Sequence, residues 1–321
     1  MPLAAPTTPA PAAPAAGGPS AVGPTNPGPA AAPTSASAAS ATPAPVPVSA
    51  ARAERDAIAA AAAAGALRRQ NRGNDPTQLA RRVSSALNVG IVDFGFFWVT
   101  AVTNDGSIVV ANSYGIGYVP ANVLLPEQVH MATADESIPV VERARWATYP
   151  ILALQGWARH RDERLRLVIA TEDQFQGFDP GVPAIILQPD DIPEDGTMRG
   201  RTRLQILAPG PAAQLAAMRD EGLADLLPPA HAEPTMPKDD LAMSWFEVAK
   251  PLMSRSTGRA RAHLEAMSAY AVHATESALR QAQTEPAFQA QRAAIADWLY
   301  WQHQRSILTE ALESITVAQE G

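Results

Sequence analysis

Apolar residues recur along this chain with two spacings, and those spacings predict most of its elements. From Val92 to Thr103 the run VDFGFFWVTAVT is aromatic and β-branched, and Asn104-Asp105-Gly106 separates it from SIVVANSY at 107–114. Two such runs joined by a turn signal predict an antiparallel hairpin. Gly115, Gly117 and Pro120 in YGIGYVPANVLLP then end the pairing and leave an irregular segment rich in aromatic rings. Three more apolar runs, LRLVIA at 165–170, PAIILQ at 183–188 and RLQILA at 203–208, read as strands. The expected sheet therefore has about five.

Elsewhere the spacing is helical. Ala50 to Gly73 is almost entirely helix-forming, with Arg68, Arg69 and Arg72 near its end and Gly73 just beyond. A second helix starts at Asp75 as N-cap with Pro76 at its first position and Gln78 placed for a capping box, and stops near Asn88. Ser137 to Arg161 reads as two helices or one kinked helix, because Pro150 removes a donor and disfavours α conformation at Tyr149. Another helix is expected from Gly210-Pro211 to Leu227. After the proline-rich PPAHAEPTMP at 228–237, Asp239 or Asp240 caps a helix through Ala249. Leu264, Met267, Ala271, Ala274 and Ala278 then mark a long helix, and Ile295, Trp298, Leu308, Leu312 and Ile315 form the stripe of a last one reaching about Val317.

The first 51 residues carry no ionisable side chain and no aromatic ring. Such a stretch cannot offset its ordering entropy and is expected to be a disordered Pro/Ala-rich arm. The organisation predicted is an arm at 1–51, a helix or linker at 52–74, an α+β domain at 75–228, a Pro-rich linker at 229–237 and a helical domain at 238–321. The fold class is α+β, a small mixed or antiparallel sheet with flanking helices followed by an all-α C-terminal part.

Charge and composition narrow the function. With 25 basic and 32 acidic side chains the net charge is -7, which argues against a nucleic-acid or anionic-membrane partner. The absence of cysteine removes disulfides, thiolate nucleophiles and Cys-based metal sites. The N-terminal stretch lacks a charged region followed by an apolar core, and no uncharged apolar run approaches ~20 residues, so a cytoplasmic protein is expected. Only Lys238 and Lys250 are lysines, and with abundant Ala and Pro this suggests a GC-rich, actinobacterial genome.

No catalytic signature is complete. His231-Ala232-Glu233 matches half of a zinc deaminase motif, but the two further soft ligands are missing. The GIG at 115–117 lacks the third glycine and following helix of a dinucleotide fingerprint, and no G-x-S-x-G elbow exists. His263 and His273 are ten positions apart, too far for shared metal ligation within one helix face, and surface or capping roles are expected for His130 and His160. The acidic loop Asp190, Asp191, Glu194 and Asp195 reads as a solvated turn rather than a calcium loop, and no cofactor is expected. Arg81 and Arg82 read as part of a solvated basic face. Trp245, Phe246, Tyr300 and Trp301 are the candidate partner-binding residues, since Tyr300 and Trp301 flank the stripe of the last helix rather than lying within it.

At WVTAVTNDGSIVVANSYGIGYVP and at DDLAMSWFEVAKPLMSRSTGRARAHLEAMSAYAVHATESALRQAQ the chain resembles the EspK-like family of accessory proteins from mycobacterial type VII (ESX) secretion loci. The likeness covers about 90–316, and the Pro/Ala arm is similar to the low-complexity region of that family. The resemblance implies a non-catalytic, chaperone-like adaptor that binds a secreted helical-hairpin substrate and presents it to the secretion ATPase. It assigns no residue a role. Substrates of this system carry Tyr-x-x-x-Asp/Glu, often with Trp-x-Gly, and this sequence has neither, so retention in the cell is expected. The rival reading is an enzyme, or a degenerate deaminase-like or hydrolase-like domain, whose site is scattered over the α+β part with the 114–120 segment and the 172–181 loop at its mouth.

Overall fold

The computed structural model describes residues 75–91, 94–175, 178–193, 195–229, 241–254, 256 and 258–320. All of them fall within one compact unit, Ile58–Gly321. The arm, the helix read at 50–73, His231, Glu233 and most of the proline-rich linker lie outside the described residues.

Helix α1 (Pro76–Leu87) starts as its sequence directs, with the Asp75 carboxylate accepting from the Thr77 amide at 3.0 Å and Pro76 in the first turn. The hairpin follows as β1 (Trp98–Thr103) and β2 (Ile108–Asn112), antiparallel with Val102 opposite Ile108. Its tip is tied by the Asp105 carboxylate, which accepts from the Ser107 amide and hydroxyl at 3.1 and 2.8 Å, while Gly106 takes φ 92°. The first strand begins at Trp98, because Phe94-Gly95 forms a turn with Gly95 at φ 70°; Val92, at the start of the apolar run, lies outside the described residues.

Next come β3 (Val129–Met131), α2 (Val140–Arg145), α3 (Pro150–His160), β4 (Leu165–Ala170) and β5 (Ala184–Ile186). The five strands are ordered β3-β2-β1-β4-β5. β1 pairs antiparallel with β2 and β4, whereas both edge strands pair parallel to their neighbours, so the sheet is mixed. The 203–208 run is not one of the five. It is a short helix, α4 (Arg203–Leu207), nucleated by a capping box in which the Thr202 hydroxyl accepts from the Gln205 amide and the Gln205 side chain accepts from the Thr202 amide at 2.8 Å. The fifth strand is β3, three residues long and below any detectable period.

Helix α5 (Pro209–Ala217) stops earlier than Leu227, and a 3-10 stretch, Asp220–Leu226, takes over. The C-terminal part is helical: α6 (Leu241–Ala249), α7 (Arg259–Thr284) and α8 (Phe288–Glu320). Every residue of β1 and β2 is buried because both faces of the sheet are covered. Val99, Ala101, Val109 and Val168 face α3 through Ile151, Leu154 and Trp157. On the other side Trp98, Val110 and Ile169 share a core with Val83 of α1 and with Leu264, Met267 and Ile295 of α7 and α8, so the core runs across the segment read as a linker. No helix among the described residues is long and apolar enough to cross a membrane.

Candidate functional site: an aromatic seam and its exposed helix face

The hairpin exits through a turn whose shape is set by one buried side chain. Asn112 Oδ1 accepts from the amides of Tyr114 and Gly115 at 3.1 and 3.0 Å, and its Nδ2 donates to the Tyr118 carbonyl at 2.7 Å. This bends the chain through three left-handed residues, Gly115, Ile116 and Gly117, with φ of 68°, 43° and 70°. Glycine accepts that conformation freely, but the β-branched Ile116 is strained there and must be held. Gln304 Nε2 donates to the Ile116 carbonyl at 2.8 Å, the Gly117 amide donates to Thr133 Oγ1 at 3.0 Å, and the Val119 amide donates to the Tyr300 hydroxyl at 2.9 Å. Two of those three anchors come from α8.

The turn delivers Tyr114 and Tyr118 to the C-terminal helices, where the rings continue as a seam. Ring centroids lie 5.4 Å apart from Tyr114 to Tyr118 and from Tyr118 to Trp245, 4.7 Å from Trp245 to Tyr270, and 5.2 Å from Tyr270 to Trp301 and from Trp301 to Tyr300. These separations suit tilted and edge-to-face pairs, each adding about 0.5–1.5 kcal/mol beyond burial. The Arg203 guanidinium caps the seam 4.5 Å above the Tyr300 ring and pairs with Asp297 at 2.6 Å. His263 underlies it, fully buried, with Nδ1 2.8 Å from the Val248 carbonyl and Nε2 2.9 Å from the Tyr114 carbonyl. Burial lowers its pKa against the opposing pull of the two carbonyls, and the ring, donating its one N–H to one of them when neutral, packs between α6, α7 and the turn.

The four candidate residues divide. Tyr300 and Trp301 are core residues, 0% and 7% exposed, and Trp245 is half-buried within the seam. Phe246, on the outer side of α6, is 48% exposed, and Met243 one turn earlier on the same side is 65% exposed. Phe94 and Met253, chain neighbours of the packed pair Gly95 and Leu252, are also exposed. Glu247 and Lys250 form an ion pair at 3.1 Å beside this face. Apolar side chains at solvent with a charged rim are the composition of a docking surface.

The seam holds little reactive chemistry. Burial pushes the Tyr300 phenol up to about 12, so it carries its proton at neutral pH. Among the described residues no group of three or more His, Asp or Glu is placed to hold a metal ion. Of the acidic loop, Asp191 is engaged by Arg81 at 2.6 Å and Asp195 accepts from Thr197, so both serve local structure. Sequence reasoning missed Asn112, Thr133 and Gln304: Asn112 and Thr133 only interrupt largely apolar segments, and Gln304 sits in the polar stretch Gln302–Ser306, where nothing marks it as buried. Met243 was missed because one methionine in a helix carries none.

Against known proteins, a sequence model of the EspK C-terminal domain matches residues 88–313. The chain belongs to the EspK C-terminal domain family. It is 53% identical over 247 residues to the ESX-1 secretion-associated protein EspK of Mycobacterium tuberculosis (strain CDC 1551 / Oshkosh), covering 76% of this chain and 34% of that protein. It is 51% identical over 244 residues to an uncharacterized protein of Mycolicibacterium smegmatis (strain MKD8), covering 75% of this chain and 33% of the relative. The chain thus spans about a third of the length of these two relatives. The matched span runs from the end of α1 to the last turns of α8, and it takes in the hairpin, the seam and the exposed face of α6.

Proposed function

We propose that this protein is a non-catalytic, cytoplasmic accessory factor of a type VII secretion system, an adaptor or chaperone that binds a secreted helical-hairpin substrate and the secretion ATPase. The observation carrying this reading is the exposed pair Met243 and Phe246 on α6, backed by the rigid seam through Trp245. A partner helix laid along that face would bury two large apolar side chains at about 1.5–3 kcal/mol each, on a support that does not need ordering first. Membership of a family whose M. tuberculosis relative is named as ESX-1 secretion-associated supports the secretion role. Tyr300 and Trp301 act in this scheme by holding the support rather than by touching the partner.

The test is co-purification of ESX substrates and secretion ATPase subunits with the tagged full-length chain, wild type against Phe246→Asp/Met243→Asp. Retained folding with loss of the partners is expected. Equal recovery from both chains would count against a docking role for this face.

A further inference from the structure

Apart from the α6 face, a half-enclosed cavity of about 230 Å³ opens between Gly95 and Phe97, the start of α3 and the approach to α7. Pockets for drug-sized ligands run to about 300–1,000 Å³, so this one admits a single side chain or a small acid. Phe97, Phe178 and Leu252 give it apolar walls, and Arg259 lies in its lining. The Arg259 guanidinium is fixed. Its Nε donates to Thr148 Oγ1 at 3.2 Å and its Nη2 to the Thr148 carbonyl at 3.3 Å, while Cζ sits 4.2 Å over the Tyr149 ring. All of these partners are neutral, and among the described residues no carboxylate lies within ion-pairing distance of it. A cation held in place beside apolar walls without a counter-charge is matched by a ligand that brings one. Helix α3 begins at the same wall with no side-chain cap on Tyr149 and no acidic residue in its first turn, which adds positive potential there.

We propose that this cavity binds a carboxylate carried on a small apolar group, seating the carboxylate on Arg259 and the apolar part between Phe97, Phe178 and Leu252. The ligand is a free aromatic or aliphatic acid or the C-terminal residue of a peptide. Asp173 also lines the cavity, its carboxylate accepting from the Thr171 hydroxyl at 2.5 Å, and it opposes the bound anion. This inference is independent of the docking role given to α6.

The test is titration of the full chain, followed by NMR or calorimetry, with phenylacetate, with a tetrapeptide ending in phenylalanine, and with the amide of each. Binding of either acid, with its amide at least tenfold weaker, is the expected result, since only the acid brings a charge to the Arg259 guanidinium. Response to phenylacetate alone assigns a free acid, and response to the peptide acid alone assigns a chain terminus. Arg259→Gln should weaken binding tenfold or more and Asp173→Asn should tighten it. Because Arg259 also braces Thr148, Gln174→Trp, which fills the lining from another side, provides a second variant that should abolish binding without touching that brace. No binding of either acid at millimolar concentration, equal binding of the amides, or full binding by folded Arg259→Gln or Gln174→Trp would overturn the proposal.

Discussion

Tyr300→Phe removes one oxygen from the buried interface between α8 and the turn that follows β2. That oxygen accepts the Val119 amide proton at 2.9 Å, and both residues are 0% exposed, so no water can take its place without a rearrangement. An unpaired buried donor costs about 1–3 kcal/mol, and the slightly more apolar ring recovers part of it, leaving about 1–2 kcal/mol of net destabilisation. The ring itself stays, so the packing with Trp301 at 5.2 Å and the stacking under Arg203 are kept. For a folded unit of this size each kcal/mol moves the midpoint by about 2–4 °C, so thermal unfolding should shift down by roughly 2–8 °C. Urea unfolding of both chains, with hydrogen exchange at the Val119 amide, provides the measurement. A change below about 0.5 kcal/mol, the range of an ordinary surface substitution, together with an unaltered Val119 exchange rate, would refute the claim that α8 holds the turn through this bond.

Gly156→Ala should destabilise the protein although Gly to Ala inside a helix normally gains about 1 kcal/mol, because the new Cβ would lie 2.1 Å from the buried Trp146 ring; an unfolding midpoint at or above wild type would show that the ring moves freely. Burial pushes the Asp135 carboxyl up, but the Ser137 hydroxyl and amide and the Arg161 guanidinium outweigh it and hold it down at about 2. Its folded value is depressed, so its contribution is present above the ordinary carboxylate value of about 3.9 and is lost as pH falls through about 2; Asp135→Asn should flatten that part of the acid-unfolding curve, read by the fluorescence of Trp157, whose Nε1 donates to Asp135 at 2.9 Å. Tyr300 has the opposite sign, with a folded value raised to about 12, so its contribution is intact below the free phenol value of about 10 and is lost as pH rises through about 12. Tyr300→Phe should therefore lose less stability than wild type between those limits, measured by urea unfolding at stepped pH. His263→Leu keeps the volume but removes the single N–H that a neutral imidazole can offer to the Val248 or the Tyr114 carbonyl, and should lower the midpoint by an amount similar to Tyr300→Phe, because each change leaves one buried polar group without its partner.

The hairpin was legible because its information is local: a turn triplet between two β-branched runs leaves the chain one compact way to pair. Helix α1 was legible for the same reason, since Asp75 and Pro76 act within a single turn. The family was legible too, from the texture of the hairpin and of the C-terminal helices. Less was visible where identity depends on a distant neighbour. RLQILA has the composition of a strand, and only the Thr202 and Gln205 caps, together with the α8 surface that covers Leu204 and Leu207, make it a helix. Val129–Met131 is a strand only because the edge of β2 offers it a parallel partner, which no three-residue pattern can announce. Tyr300, Trp301 and Phe246 are equally aromatic in the sequence. What separates two core residues from one exposed on a helix is the arrival of Tyr118 and Val119 from nearly two hundred positions away, fixed by Asn112 and Gln304 across the core. Local propensity and capping act over a few residues and can be read along the chain, while burial is decided by whatever the rest of the chain brings to each face.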